Sequence, residues 1–206
     1  MKSAVTIAFL LFLAAPLAAQ DRNVNFTVWV SQTQMQGEND FGGSGFETDF
    51  EDGAGLGVSA NWLVNPHFSV EGSVFGLRSD AGLRFQVAPI DLGTLNLTVF
   101  TLGAQFHVLG GSRIDPYVGA GGAYIISDDF FTPDLDAAGV GRIEIGNETA
   151  YYVNAGIGFQ ITPGFGLVAD ARYIPYEASS RSAVTGVEQD LEISPRIYSA
   201  GVRLRF

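Results

Sequence analysis

The chain has 206 residues, of which 47% are apolar, 26 are glycine, 16 are phenylalanine and none is cysteine, and its formal net charge is −11. The acid excess argues against nucleic acid as a partner, because phosphate binding needs basic surface. Without cysteine there is no disulfide, no thiolate metal site and no cysteine nucleophile.

Residues 1–19 read as a signal peptide. Lys2 gives a positive start, Ala4 to Leu13 is almost wholly apolar, and Pro16-Leu17-Ala18-Ala19 ends in small residues. The apolar run is shorter than the roughly 20 residues of a spanning helix, and no comparable run follows it. Cleavage after Ala19 leaves residues 20–206 as one domain. Lys2 is the only lysine, so that domain carries 10 arginines against 22 acids, hence −12.

Beyond the signal the apolar residues follow a period of two, not the 3.6-residue spacing of a helix. The first strand, 23–36, sets Val24, Phe26, Val28 and Val30 against Asn25, Thr27, Trp29 and Ser31. The second, 53–64, sets Ala54, Leu56, Val58, Ala60 and Trp62 against Gly55, Gly57, Ser59 and Asn61. Strands at 67–78, 94–109 and 115–127 follow. The sixth, 148–162, alternates Tyr151, Val153, Ala155, Ile157, Phe159 and Ile161 with Tyr152, Asn154, Gly156, Gly158 and Gln160. A strand at 165–176 leads to the last, 195–206, where Tyr198, Ala200, Val202, Leu204 and Phe206 oppose Ser199, Gly201, Arg203 and Arg205. Short turns at Asn65-Pro66, Gly110-Gly111-Ser112 and Thr162-Pro163-Gly164 alternate with long loops at 37–52, 79–93, 128–147 and 177–194.

This pattern predicts an all-β fold, an eight-stranded antiparallel transmembrane β-barrel. Its short turns and both termini face the periplasm, and its long loops face outward. A soluble β-sandwich would also alternate. Three features weigh against it: strands longer than five or six residues, the export signal, and aromatics near strand ends (Trp62, Phe68, Tyr117, Tyr173 and Phe206) where interfacial girdles belong. The expected setting is the outer membrane of a Gram-negative cell, among lipid bilayer and lipopolysaccharide.

Specific residues resemble the OmpW family. Asp115-Pro116-Tyr117-Val118-Gly119-Ala120-Gly121-Gly122-Ala123-Tyr124 is similar to that family's Pro-Tyr-Val-Gly-Ala-Gly strand. Asn154-Ala155-Gly156-Ile157-Gly158-Phe159, Asp170-Ala171-Arg172-Tyr173 and Ser194-Pro195-Arg196-Ile197-Tyr198 resemble its last three strands. In place of its Leu-Pro-Pro-Thr stretch stands Ala88-Pro89-Ile90-Asp91-Leu92-Gly93-Thr94. Ser199, Gly201, Leu204 and Phe206 match the general signal read by the outer-membrane barrel-assembly machinery, a signal that OmpX-like, OmpA-like and opacity-type barrels share. The resemblance implies a hydrophobic interior pocket and uptake of small hydrophobic compounds, with sideways exit into the membrane.

Eight strands leave a lumen just wide enough for side chains or one small ligand, so a wide water-filled pore is not expected. Alternation turns Asn61, Glu71, Gln105, His107, Asn154, Gln160, Asp170, Arg172, Arg203 and Arg205 inward. The charged members suggest ion pairs with one another, forming a plug or a gated passage. The same phase turns Leu95, Leu97 and Val99 inward near the outer rim, where they would suit a hydrophobic ligand; a bulge in that strand would instead send them to lipid.

Glu38, Asp40, Glu47, Asp49, Glu51 and Asp52 crowd the first long loop, and Asp128, Asp129, Asp134 and Asp136 the third. No calcium-loop spacing accompanies them, so solvated acidic loops are expected rather than a metal site. His67 and His107 have no serine motif beside them, no cofactor motif is present, and catalysis is not expected. Gly119-Ala120-Gly121-Gly122 sits inside a strand, where glycine makes room for neighbouring side chains rather than cradling phosphate. A structural or adhesive barrel acting through its loops is the alternative function.

Overall fold

The computed structural model describes residues 23–36, 47–50, 52–84, 89–127, 143–182 and 188–206. The signal-peptide segment lies outside them, as do Glu38, Asp40, Glu51 and the four aspartates of the third loop. No helix among the described residues is long and apolar enough to cross a membrane.

Eight long strands close on themselves. β1 (Val24–Gln36) pairs with β3 (Gly53–Asn65), and the ladder continues through β4 (Phe68–Arg84), β5 (Pro89–His107), β6 (Ile114–Ser127), β8 (Glu148–Thr162) and β9 (Phe165–Tyr173) to β11 (Glu188–Arg205). β11 then pairs with β1 from Asn25↔Arg205 to Gln36↔Ser194, which closes the barrel. Every pairing is antiparallel. Three short strands extend the rim: β2 (Glu47–Phe50) on β4, β10 (Tyr176–Ser182) on β11, and β7 (Ile143–Ile145) on β10.

Two of the expected long loops are therefore largely hairpin. β4 and β5 stay paired out to Arg84↔Pro89, past the expected limits of 78 and 94, and β11 begins at Glu188 rather than 195. Above the membrane both faces of a strand meet water, so the period-two signal fades while backbone pairing continues. β9, by contrast, ends at Tyr173 rather than 176, just before Ile174-Pro175, and proline lacks the N–H a ladder needs. Among the described residues, β8 at 148–152 has ladder partners on the β6 side alone.

The opposite end is closed by tight turns. Asn65 Oδ1 accepts from the backbone N–H groups of His67 and Phe68, both at 2.9 Å. Gly111 takes a left-handed φ of 77°, open to glycine at no steric cost. By the rule that outer-membrane barrels keep their short turns in the periplasm, this is the periplasmic end.

Exposed aromatics form two belts. Trp62, Phe68, Phe106, Phe159, Phe165 and Phe206 ring the periplasmic end, and Tyr124, Tyr151, Tyr173 and Tyr198 ring the outer one. Tyr117 belongs to neither: it is 2% exposed and points into the lumen, its phase set by the ladder pair with Gly156. Its nearness to a strand end in sequence suggested a girdle, but strand parity decides the face.

Candidate functional site: a lumen in two levels

The lower and middle lumen is polar and charged, and Arg172 is its centre. Arg172 projects from β9, four strands from β4 in either direction around the barrel, and so reaches the opposite wall. Its Nη2 donates to Glu71 Oε1 at 2.7 Å, and its Nη1 donates to Ser73 Oγ and Thr101 Oγ1, each at 2.9 Å. Its guanidinium lies over the rings of Tyr152 (4.7 Å) and Phe75 (5.0 Å), and its Nε is 3.7 Å from Asp170 Oδ1. Asp170 in turn accepts from Tyr117 Oη at 2.9 Å and from Asn154 Nδ2 at 2.7 Å. The cation thus spans the lumen as a strut between two carboxylates.

Toward the periplasm a second network follows. His107 Nδ1 lies 2.8 Å from Asp115 Oδ2, and its Nε2 lies 2.8 Å from Ser69 Oγ. Asn61 Nδ2 donates to Ser69 Oγ at 3.0 Å and to Gln105 Oε1 at 2.7 Å. Arg203 faces Asp115 at 3.9 Å and lies over the Tyr117 ring at 5.8 Å. Its acid is therefore Asp115, not the Glu71 and Asp170 that meet Arg172. Arg205 is half-buried, and with Asn25, Arg113 and Arg203 it lines a small polar hollow of about 20 Å³ at the periplasmic mouth.

The upper lumen changes character. Leu97 (1% exposed) and Val99 (0%) point inward, and Leu77, Ile125, Ile174 and Ile197 are buried at the same level. Leu95 shares their parity; its side chain lies outside the described residues. The β5 ladder to β6 runs unbroken from Leu97 to His107, and the register shift against β4 falls at Ala81/Gly82, so no bulge reverses the phase of Leu97 and Val99. These side chains are all buried, with Ser127 and Thr33, the ladder partners of Leu97 and Ile197, buried beside them.

The remaining sequence candidates are placed as follows. Ser199 faces inward and its Oγ is 2.7 Å from Ser31 Oγ; Gly201 faces the Trp29 indole; Leu204 and Phe206 face lipid. Glycine makes that approach possible, since a Cβ at Gly201 would lie 2.7 Å from Trp29 Cε3. Gly121 gives the same room to Tyr152, whereas Gly122 points outward into open space. Asp52 is exposed and accepts from Gln32 Nε2 at 3.1 Å. Among the described residues no three His, Asp or Glu side chains gather as metal ligands.

Asp115, Ser69, Ser73 and Thr101 were missed as site residues. Their parity was legible in the sequence, but small hydroxyl residues and an acid at a strand start carry no signal of their own.

The fold recurs in solved structures of low sequence identity. The outer membrane protein OprG of Pseudomonas aeruginosa is 16% identical with a TM-score of 0.71, over 88% of this chain and 95% of that one. AlkL, solved in DMPC bilayers, is 18% identical with a TM-score of 0.63, over 88% and 90%. Ail, the attachment invasion locus protein of Yersinia pestis, solved with the heparin analogue sucrose octasulfate, is 15% identical with a TM-score of 0.52, over 89% and 97%. No curated protein matches the chain in sequence. The family model does match, across residues 21–206: the chain belongs to the OmpW family and is an eight-stranded β-barrel of the Gram-negative outer membrane.

Proposed function

We propose that the barrel takes up small hydrophobic molecules at its outer end and releases them sideways into the membrane. The observation that carries this reading is the order of the two levels. An apolar layer around Leu97 and Val99 lies above the Arg172–Glu71 strut. An apolar solute gains by entering the upper layer but would have to displace paired charges to go further. Leu77, Leu97, Val99 and Ile125 are buried, so they must part to admit a solute. The end of β9 at Tyr173, with β8 at 148–152 paired on one side among the described residues, is a place in the wall with few ladder bonds to break.

Supporting roles follow from the sequence. Residues 1–19 direct export, and Ser199, Gly201, Leu204 and Phe206 serve the barrel-assembly machinery. We assign no catalytic role to the Ser69–His107–Asp115 chain, although it has the spacing of a nucleophile, a base and an orienting acid. Ser69 is 1% exposed and its hydroxyl is held between His107 and Asn61, so no substrate reaches it.

The test is uptake of a panel of hydrophobic and hydrophilic solutes into liposomes holding the refolded barrel, with Leu97→Asp alongside. Hydrophobic uptake that the variant reduces at least about tenfold is expected, since a carboxylate buried among apolar side chains costs several kcal/mol. Equal uptake by a correctly folded Leu97→Asp barrel would remove this layer from the route. The paired charges in the middle and lower lumen favour a second reading, a structural or adhesive barrel working through its loops, and absence of uptake for every solute would select it.

A further inference from the structure

The lipid-facing wall carries a depression unrelated to the lumen. On β8, β9 and β11, Ala155 lies beside Ala171, Ala171 beside Tyr198, and Ala169 beside Ala200. All four alanines are exposed, while Ser31, Asp170 and Ser199 behind them are buried on the lumen side. Larger side chains, Val30, Ile157 and Tyr198, frame them, so a groove of about 610 Å³ opens toward the membrane. It shares Ala155, Ala171 and Tyr198 with a second hollow of about 260 Å³ that reaches Tyr173 and Arg196 at the outer belt.

Both ends of this groove specify an occupant. The lower part faces hydrocarbon, and an unfilled hollow there would forfeit the dispersion contacts of its lining, so an acyl chain fits it. At the upper end Arg196 stands beside Tyr173 and Gln34 in the ladder, points outward, and has no hydrogen bond or ion pair among the described residues. Guanidinium matches phosphate bidentately. An exposed cation at headgroup height is the complement of an anionic lipid. A second copy docking through this face about an axis along the membrane normal would bring two Arg196 side chains to the same height, with like charges opposed.

We propose that this face binds the phosphorylated, multiply acylated glycolipid of the outer leaflet, lipid A, with one acyl chain in the alanine groove and a phosphate on Arg196. The site is independent of whether the lumen transports anything.

Native mass spectrometry of the mature barrel, released from detergent with bis-phosphorylated lipid A, dephosphorylated lipid A or phosphatidylethanolamine, tests it. Bis-phosphorylated lipid A is expected to be retained best. Arg196→Gln should lower its retention about tenfold through lost charged hydrogen bonds. Ala171→Phe, which fills the groove without touching the charge, should also lower it, whereas Ala104→Phe on the far wall should not. Heat-shifted gel mobility verifies the fold of each variant. Equal retention of phosphorylated and dephosphorylated lipid, or retention unchanged in both Arg196→Gln and Ala171→Phe, overturns the proposal. So does a dimer that Ala171→Phe dissociates without any preference for lipid A, which would assign the groove to a second copy.

Discussion

Arg172 holds two opposite walls of the barrel together from within, and its partners show why a buried cation is tolerated there. Desolvating a guanidinium costs several kcal/mol, offset here by Glu71, two hydroxyls and two aromatic faces. Glu71→Gln removes the 2.7 Å ionic partner and leaves Asp170 at 3.7 Å. Urea unfolding in detergent should show a loss of about 3 kcal/mol, and adding Arg172→Met should not restore it, because buried Asp170, 3.7 Å from the Arg172 Nε, then loses its cation. An unchanged unfolding midpoint in Glu71→Gln would mean that Asp170 alone suffices. Alternation made the inward direction of both residues legible in the sequence. Their pairing was only partly so, because which acid a cation meets across a lumen depends on barrel closure and strand stagger, neither of which is local. Arg203 illustrates the limit: its partner Asp115 sits at a strand start, where sequence gives parity but no depth.

At the scale of elements, the β1–β11 seam closes the barrel through side chains as well as backbone. Trp29 fills the space above Gly201 and donates Nε1–H to Ser59 Oγ at 3.0 Å, Ser31 and Ser199 pair beside Asp170, and Phe26 meets Phe206 edge to face at 5.9 Å. Gly201→Val would drive a branched side chain into the indole, against Val28 O and Thr27 Cγ2 as well. A destabilisation of about 2 kcal/mol is expected from overpacking, read as a lower urea midpoint for the refolded variant. Wild-type unfolding would show that Trp29 can turn aside. The pairing order of these elements was legible because alternation inside a bilayer is sharp: one face meets hydrocarbon and the other polar side chains. Strand length was less so, since β4, β5 and β11 run on into water, where the contrast between faces is lost. The early end of β9 at Tyr173 is the converse, with Pro175 stopping the ladder while hydrophobicity continues.

For the whole molecule, the vertical order of the lumen matters more than its width. A barrel of eight strands encloses side chains or at most one small ligand, so permeability would be decided by which side chains have to move. The upper layer is lined by buried Leu77, Leu97, Val99 and Ile125, whereas the strut is held by charge-assisted hydrogen bonds to the opposite wall. On the proposed route a polar solute or ion would be stopped at the strut, and an apolar one would leave above it. The consequence separates the two levels experimentally. Glu71→Ala with Arg172→Ala takes out the strut and leaves Leu97 and Val99 in place, while Asp170 keeps its hydrogen bonds from Tyr117 and Asn154. In planar bilayers the wild-type barrel should show little ion conductance and the double variant clearly more, while liposome uptake of hydrophobic solutes stays at the wild-type level. If conductance remains low in the double variant, the barrier lies in the His107–Asp115–Arg203 network nearer the periplasm. If hydrophobic uptake falls together with the strut, solutes pass through the lumen rather than leaving above it, and sideways release is wrong.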